Sequence, residues 1–277
     1  MNRNLPLSVL LVTVALFTAL FVSCSGKASA QTVADGTQGS RPENMMNDPE
    51  IIRLQKALSS LSQRAKAAIP NGDPEEFLTD LKKALASRSS DMFLLCDKTH
   101  PLPEGYEPAD LVHLVSNESY TVGRNNLFLR VQAEKQLRSM GSAAGKEGIT
   151  LLVSSSYRSY AYQKEVYDRW VRIDGQKAAD RESARAGTSQ HQTGNAVDFG
   201  SIDDSYAQTA AGKWLAANAE KFGWSLSFPQ GYEDVTGYRW ECWHYRYLGI
   251  EACRFQKKWF GDIQQFMLEF IDAWNKV

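Results

Sequence analysis

Apolar positions change their period several times along the 277-residue chain, and each change predicts an element. After Arg3, the run LPLSVLLVTVALFTALFV is interrupted by polar side chains only at Ser8, Thr13 and Thr18. It is short for a membrane span, and a polar stretch follows directly. That order predicts an export signal with a basic start, an apolar middle and a small-residue cleavage region. Residues 1–24 are therefore expected to be a leader. Residues 25–46, rich in Gly, Ser and other small or polar residues, are expected to be a flexible tether. DPEIIRLQKALSSLSQRAKAAIP and DPEEFLTDLKKALASRS then each open on Asp-Pro and carry apolar residues at helical spacing. Two helices are predicted there, a small hairpin over 47–90 whose ordinary role is packing or tethering.

From about residue 91 the rhythm is mixed. DMFLLCDKTHPLPEGYEPADLVHL combines a short apolar strand with Pro-rich turns, and NNLFLRVQAEKQLRSMGSAAGKEG reads as a helix. ITLLVSSSYRS is a strand with a polar end, and YAYQKEVYDRWVRI is again helical. GNAVDFGS, WSLSFP and WHYRYLG predict further strands. AAGKWLAANAEKFG predicts a helix closing at Gly223, and QKKWFGDIQQFMLEFIDAWNKV one amphipathic helix. Strands and helices alternate without a regular βαβ rhythm, so the class expected for 91–277 is α+β with a central antiparallel sheet flanked by helices. There is no internal repeat and no Gly-rich phosphate loop.

Composition narrows the possibilities. With 43% hydrophobic and 23% charged residues the chain can bury an ordinary core. A net charge of −1 argues against a nucleic-acid binder, which would need a clustered basic excess. "VSC" ending at Cys24 is similar to a lipobox, whereas "ASA" at 28–30 is similar to an ordinary signal-peptidase site; an uncleaved anchor is the third option. All three place the domain outside the cytoplasm, and lipidation at Cys24 is the preferred expectation. Contact with the membrane is then expected only through that anchor or signal segment. With Cys24 modified, Cys96, Cys242 and Cys253 remain; Cys242 and Cys253 are one conceivable disulfide.

The chemistry lies in a few residues. The chain has four histidines, His100, His113, His191 and His244. His191 and Asp198 flank QTGNAV, where Thr193 and Gly194 suit a turn able to bring both side chains to one metal. His244 in ECWHYRY would complete a set of three ligands with a position left for water. On spacing alone, histidines satisfied within a core or turn fit as well. Glu241, three residues before His244 with Trp240 and Trp243 beside it, suits a general base whose pKa is raised by apolar indoles. Taken alone, it also reads as a surface glutamate. Arg158 ends a strand where its fork of donors would meet a substrate oxygen, although an ion-pairing arginine is the ordinary reading. Gln163 and Ser189 are weaker candidates for substrate contact.

Together, CDKTHPLPEGYEPADLV, SSYRSYAYQ, GTSQHQTGNAVDFG, FGWSLSFPQG and ECWHYRYLG resemble the VanY-type D-alanyl-D-alanine carboxypeptidases, zinc enzymes of the LAS metallopeptidase group with a hedgehog/DD-peptidase-like fold. The resemblance implies that His191, Asp198 and His244 bind Zn2+, that Glu241 is the catalytic base, and that Arg158 polarises the scissile carbonyl. It implies substrate contacts at Gln163 and Ser189, and peptidoglycan stem peptides as substrates of a monomeric exported enzyme. Removal of the C-terminal D-Ala is the expected reaction. An L,D-carboxypeptidase, an endopeptidase on the same peptides and a non-catalytic envelope-binding lipoprotein are the rivals. Two positions depart from the family pattern: Cys242 stands where Pro is common, and Gln190 where Glu is common.

Overall fold

A computed structural model describes residues 48–86 and 90–277, so the expected leader, the tether and Cys24 lie outside the described residues. Three helices come first: α1 (Pro49–Ser60), α2 (Gln63–Ala68) and α3 (Pro74–Ala86). Then follow β1 (Leu111–His113), β2 (Tyr120–Val122), β3 (Phe128–Arg130), α4 (Val131–Lys146) and β4 (Leu151–Ser155). Next come α5 (Tyr160–Asp174), α6 (Gln176–Glu182), β5 (Ala196–Phe199), α7 (Ala210–Asn218) and β6 (Trp224–Leu226). The short α8 (Glu233–Thr236), β7 (His244–Tyr247), α9 (Ile250–Trp259) and α10 (Gln264–Lys276) complete the order.

The expected two-helix hairpin is three helices, and capping explains why. The Asp48 carboxylate accepts the Glu50 N–H at 2.8 Å, and Pro49 occupies the first turn, where its missing N–H costs nothing. The Ser62 hydroxyl then accepts the Ala65 N–H at 3.1 Å and starts a new helix where one continuous helix was expected. A second expected helix also divides. Gly261 and Asp262, with φ of 59° and 64°, turn the chain between α9 and α10.

These N-terminal helices close the core of the C-terminal ones. Phe77 of α3 sits 5.1 Å from Phe255, 4.9 Å from Trp259 and 5.1 Å from Phe270, all edge-on. From α1, the Arg53 guanidinium lies over the Trp274 ring and donates to the Trp274 carbonyl at 2.7 Å. Ile51, Leu54, Leu81, Phe255, Phe266 and Ile271 belong to the same buried cluster. Helices α1 to α3 belong to the same compact unit as the rest of the described residues.

The main sheet runs β2-β4-β5-β7-β6, antiparallel except for the β2/β4 edge pair, which the α4 crossover makes parallel. A separate antiparallel ribbon pairs β1 with β3. The α+β architecture with a largely antiparallel sheet and flanking helices is the expected one. Strand alternation divides the sheet into two faces. Val197, Phe199, Tyr245 and Tyr247 join Leu137, Met140, Trp214 and Leu215 of α4 and α7 in an apolar core. Asp198 and His244, the alternate residues, point away from it. No helix among the described residues is long and apolar enough to cross a membrane.

Candidate active site

Register brings the candidate ligands together. Asp198 of β5 and His244 of β7 are direct antiparallel partners. His191 reaches them from a 3-10 turn, Gln190–Thr193, that immediately precedes β5. Ser189 starts this turn by accepting the His191 N–H at 3.3 Å. Gly194 ends it with φ of 72°, and a Cβ there would lie 2.9 Å from Leu111 and Pro108 side chains. The Thr193 hydroxyl donates to the Gln190 carbonyl at 2.5 Å and so tightens the turn expected from this sequence.

His191 Nε2 lies 3.2 Å from Asp198 Oδ2, and His244 Nδ1 lies 3.1 Å from Asp198 Oδ1. One ligand atom from each of the three residues falls within 4.8 Å of the others. All three side chains are buried, yet His191 Nε2 and Asp198 Oδ1 have no hydrogen-bond partner. Their lone pairs converge on shared space instead of being satisfied by each other, which fits a metal ion.

The outer ring nitrogens fix both tautomers. His191 Nδ1–H donates to the Ser156 carbonyl at 2.8 Å, which frees Nε2. His244 Nε2–H donates to Gln190 Oε1 at 3.3 Å, which frees Nδ1. Gln190 is itself oriented by the Ser227 hydroxyl at 2.7 Å and by Gln264 at 3.1 Å. An amide oxygen therefore serves at Gln190, the position where the resemblance implies a carboxylate, since either accepts this hydrogen bond. Burial, with the Arg158 guanidinium beside it, pushes His191 down to about 4. Burial opposes the charge on Asp198, but contacts to His191 and His244 hold its carboxyl well below the usual range. A neutral imidazole, as at His191, and an ionised carboxylate, as at Asp198, are forms that ligate metals.

Glu241 stands 3.5 Å from His244 Nδ1. A turn brings the two together, with the His244 N–H donating to the Glu241 carbonyl at 3.1 Å. Burial, then the charge of Asp198, raises the Glu241 carboxyl well above its ordinary value. Of the two expected indoles, Trp243 lines the cavity beside it and Trp240 does not.

Arg158 leaves the end of β4 and is held on three sides. It donates to Asp198 Oδ2 at 3.1 Å, to Gln163 Oε1 at 2.8 Å and to Ser155 Oγ at 3.2 Å. Gln163, for which substrate contact is expected, turns its amide oxygen to Arg158. Gln163 is fully buried, stands outside the cavity wall, and uses its amide on Arg158 and on the Ala184 carbonyl at 2.6 Å. It braces the guanidinium from behind. Ser189 does line the cavity.

The cavity, about 330 Å³, also exposes residues that sequence reasoning missed, among them Arg124, Tyr162, Phe228, Tyr238 and Arg239. Phe228, 4.7 Å from the His244 ring, belongs to FGWSLSFPQG but carries no pattern of its own. Cys242 faces elsewhere. Its buried free thiol contacts the Asp203 carbonyl at 3.6 Å, so it packs a loop and forms no bond to Cys253.

Comparison with known proteins bears on this geometry. A sequence model of VanY, described as D-alanyl-D-alanine carboxypeptidase, matches residues 126–250. The putative carboxypeptidase YodJ of Bacillus subtilis is 35% identical over 189 residues, 65% of this chain and 69% of its own length. The chain belongs to the VanY D-alanyl-D-alanine carboxypeptidase family. The D-alanyl-D-alanine carboxypeptidase of Enterococcus faecalis is 29% identical over 65% of this chain and 67% of its own. The solved structure of the LdcB LD-carboxypeptidase superposes with a TM-score of 0.58 at 34% identity, covering 66% of this chain and 86% of that one. The VanY match spans every candidate ligand, Glu241 and Arg158, and it leaves out α1 to α3.

Proposed function

We propose that this chain is a zinc-dependent carboxypeptidase that removes the C-terminal D-Ala from peptidoglycan stem peptides. The observation that carries the reading is the convergence of partnerless, buried ligand atoms beside a buried glutamate. His191 Nε2, Asp198 and His244 Nδ1 would hold the zinc ion. Bound there, zinc supplies Lewis acidity toward water and a carbonyl oxygen. Glu241, its carboxyl raised by burial, takes the proton of the attacking water and passes it to the departing amine. The Arg158 guanidinium, fixed by Asp198 and Gln163, donates to the scissile carbonyl oxygen as negative charge develops there. Trp243, Phe228 and Tyr238 wall the cavity and limit bulk water. Ser189, on the cavity wall beside His191, is the expected substrate contact that fits this position. The relatives' names support a wall peptide as substrate, and with it a location outside the cytoplasm.

A second reading, L,D-carboxypeptidase action on tetrapeptides, is favoured by the likeness to the LdcB LD-carboxypeptidase. Incubating the zinc-loaded protein with penta- and tetrapeptide stems, with and without chelator, distinguishes the two by product mass. Chelator-sensitive loss of one D-Ala from the pentapeptide is expected. No such loss from either peptide contradicts the carboxypeptidase assignment. Glu241→Ala is expected to fold and to lose about 100- to 10,000-fold in turnover in the same assay.

A further inference from the structure

Among the residues missed in the sequence, Arg124 has the most unusual surroundings. It lies in the loop between β2 and β3, two residues ahead of the VanY match. Its guanidinium enters the wall of the same cavity as Arg158 and the candidate ligands. Two hydroxyls hold it: Arg124 Nη1 donates to Tyr162 Oη at 3.1 Å and Nη2 to Ser155 Oγ at 3.3 Å. Its buried Nε has no partner, and among the described residues it makes no ion pair. The other guanidiniums of the wall differ. Arg158 is committed to Asp198, Arg239 pairs with Asp204 and Glu182, and Arg169 is exposed at the rim.

Ser155 Oγ is shared. It accepts from Arg124 at 3.3 Å and from Arg158 at 3.2 Å, bringing two cations to a single hydroxyl. Asp198 balances the charge of Arg158, whereas Arg124 meets only hydroxyls among the described residues, so an anion placed beside both guanidiniums would complete the pair. Their separation is no greater than two residues of extended chain. That is the spacing a peptide end needs, because its last carbonyl and its terminal carboxylate are one residue apart.

We infer that Arg124 forms a carboxylate subsite that receives the C-terminal carboxylate of the substrate peptide and thereby selects chain ends over internal bonds. The inference rests on the carboxypeptidase reading above, and adds to it the group that makes the reaction exopeptidic. With the scissile carbonyl oxygen at Arg158, the terminal carboxylate falls at Arg124, whose planar fork matches two carboxylate oxygens. The Ser155 hydroxyl, accepting from both arginines, keeps its own hydrogen for the same carboxylate.

Binding tests this apart from turnover. The full chain carrying Glu241→Ala, with zinc bound, is titrated with a peptide ending in D-Ala-D-Ala and with the same peptide amidated at its C-terminus. The free acid is expected to bind at least about tenfold more tightly than the amide. Adding Arg124→Ala should bring the two Kd values together, and Arg124→Lys should restore part of the preference. Zinc content equal to that of the parent verifies the fold of each variant. In the otherwise native enzyme, Arg124→Ala should lower kcat/KM for the free acid by about tenfold to a hundredfold, chiefly through KM. An acid preference that survives Arg124→Ala overturns the subsite. So does native enzyme that cleaves acid and amide equally, although hydrolysis itself then stands. Native protein that binds the acid through Arg124 yet releases no D-Ala supports the subsite and contradicts the carboxypeptidase reading instead.

Discussion

Two regions of this molecule are equally buried and chemically opposite. In the helical core, Leu81, Phe260 and Phe270 are fully enclosed, and the Phe77 ring meets those of Phe255 and Phe270 edge to face. Every group there gains from losing water. In the sheet-borne site, His191 and Asp198 are just as enclosed at 2% exposure each, but His191 Nε2 and Asp198 Oδ1 are left without partners. Each such atom costs on the order of 1–3 kcal/mol. The first region is built for stability alone. The second keeps a deficit that a ligand would relieve, and that deficit marks where the chemistry is.

Truncation in the helical core sharpens the contrast most. Phe77→Ala is expected to destabilise the protein by about 3–5 kcal/mol, read from denaturant unfolding. The fraction that remains folded should still bind zinc with unchanged affinity. A loss of zinc affinity at native stability would show that the two regions are not separable. Arg158→Ala reverses the pattern, with turnover reduced on the order of 100-fold or more by steady-state kinetics. Its unfolding midpoint should move far less than that of Phe77→Ala.

A smaller effect tests the support of His244. Gln190→Ala removes the acceptor of the His244 Nε2–H and is expected to weaken zinc binding by about 10- to 100-fold in competition with a chromogenic chelator. Gln190→Glu keeps an acceptor there and should retain most of the affinity. Equal weakening in both variants would mean that the amide matters for packing and not for orienting the imidazole.

The two regions were also unequally legible in the sequence. Helical periodicity predicted α1, α3 and α10, but Ser62 and Gly261–Asp262 divide elements that periodicity alone runs together. Nothing local announces that Phe77 meets Phe255 and Phe270, because that contact joins segments nearly two hundred residues apart. In the site, the spacing of His191 and Asp198 around a glycine turn was readable, and strand pairing supplies His244. The resemblance implies substrate contact at Gln163, whereas its burial behind Arg158 depends on the path of the chain through Ala184. Arg124 was unreadable for a related reason. A lone arginine in a loop acquires meaning only when folding sets it beside Ser155 and Tyr162.

The account depends above all on the claim that the deficit at His191 and Asp198, with His244 beside them, is a metal site, and a zinc titration of the full chain tests it most directly. One zinc ion per chain is expected, bound tightly enough to raise the unfolding temperature, with binding abolished in Asp198→Ala. Zinc binding of the same stoichiometry and affinity in Asp198→Ala, or none in the native chain, would contradict it.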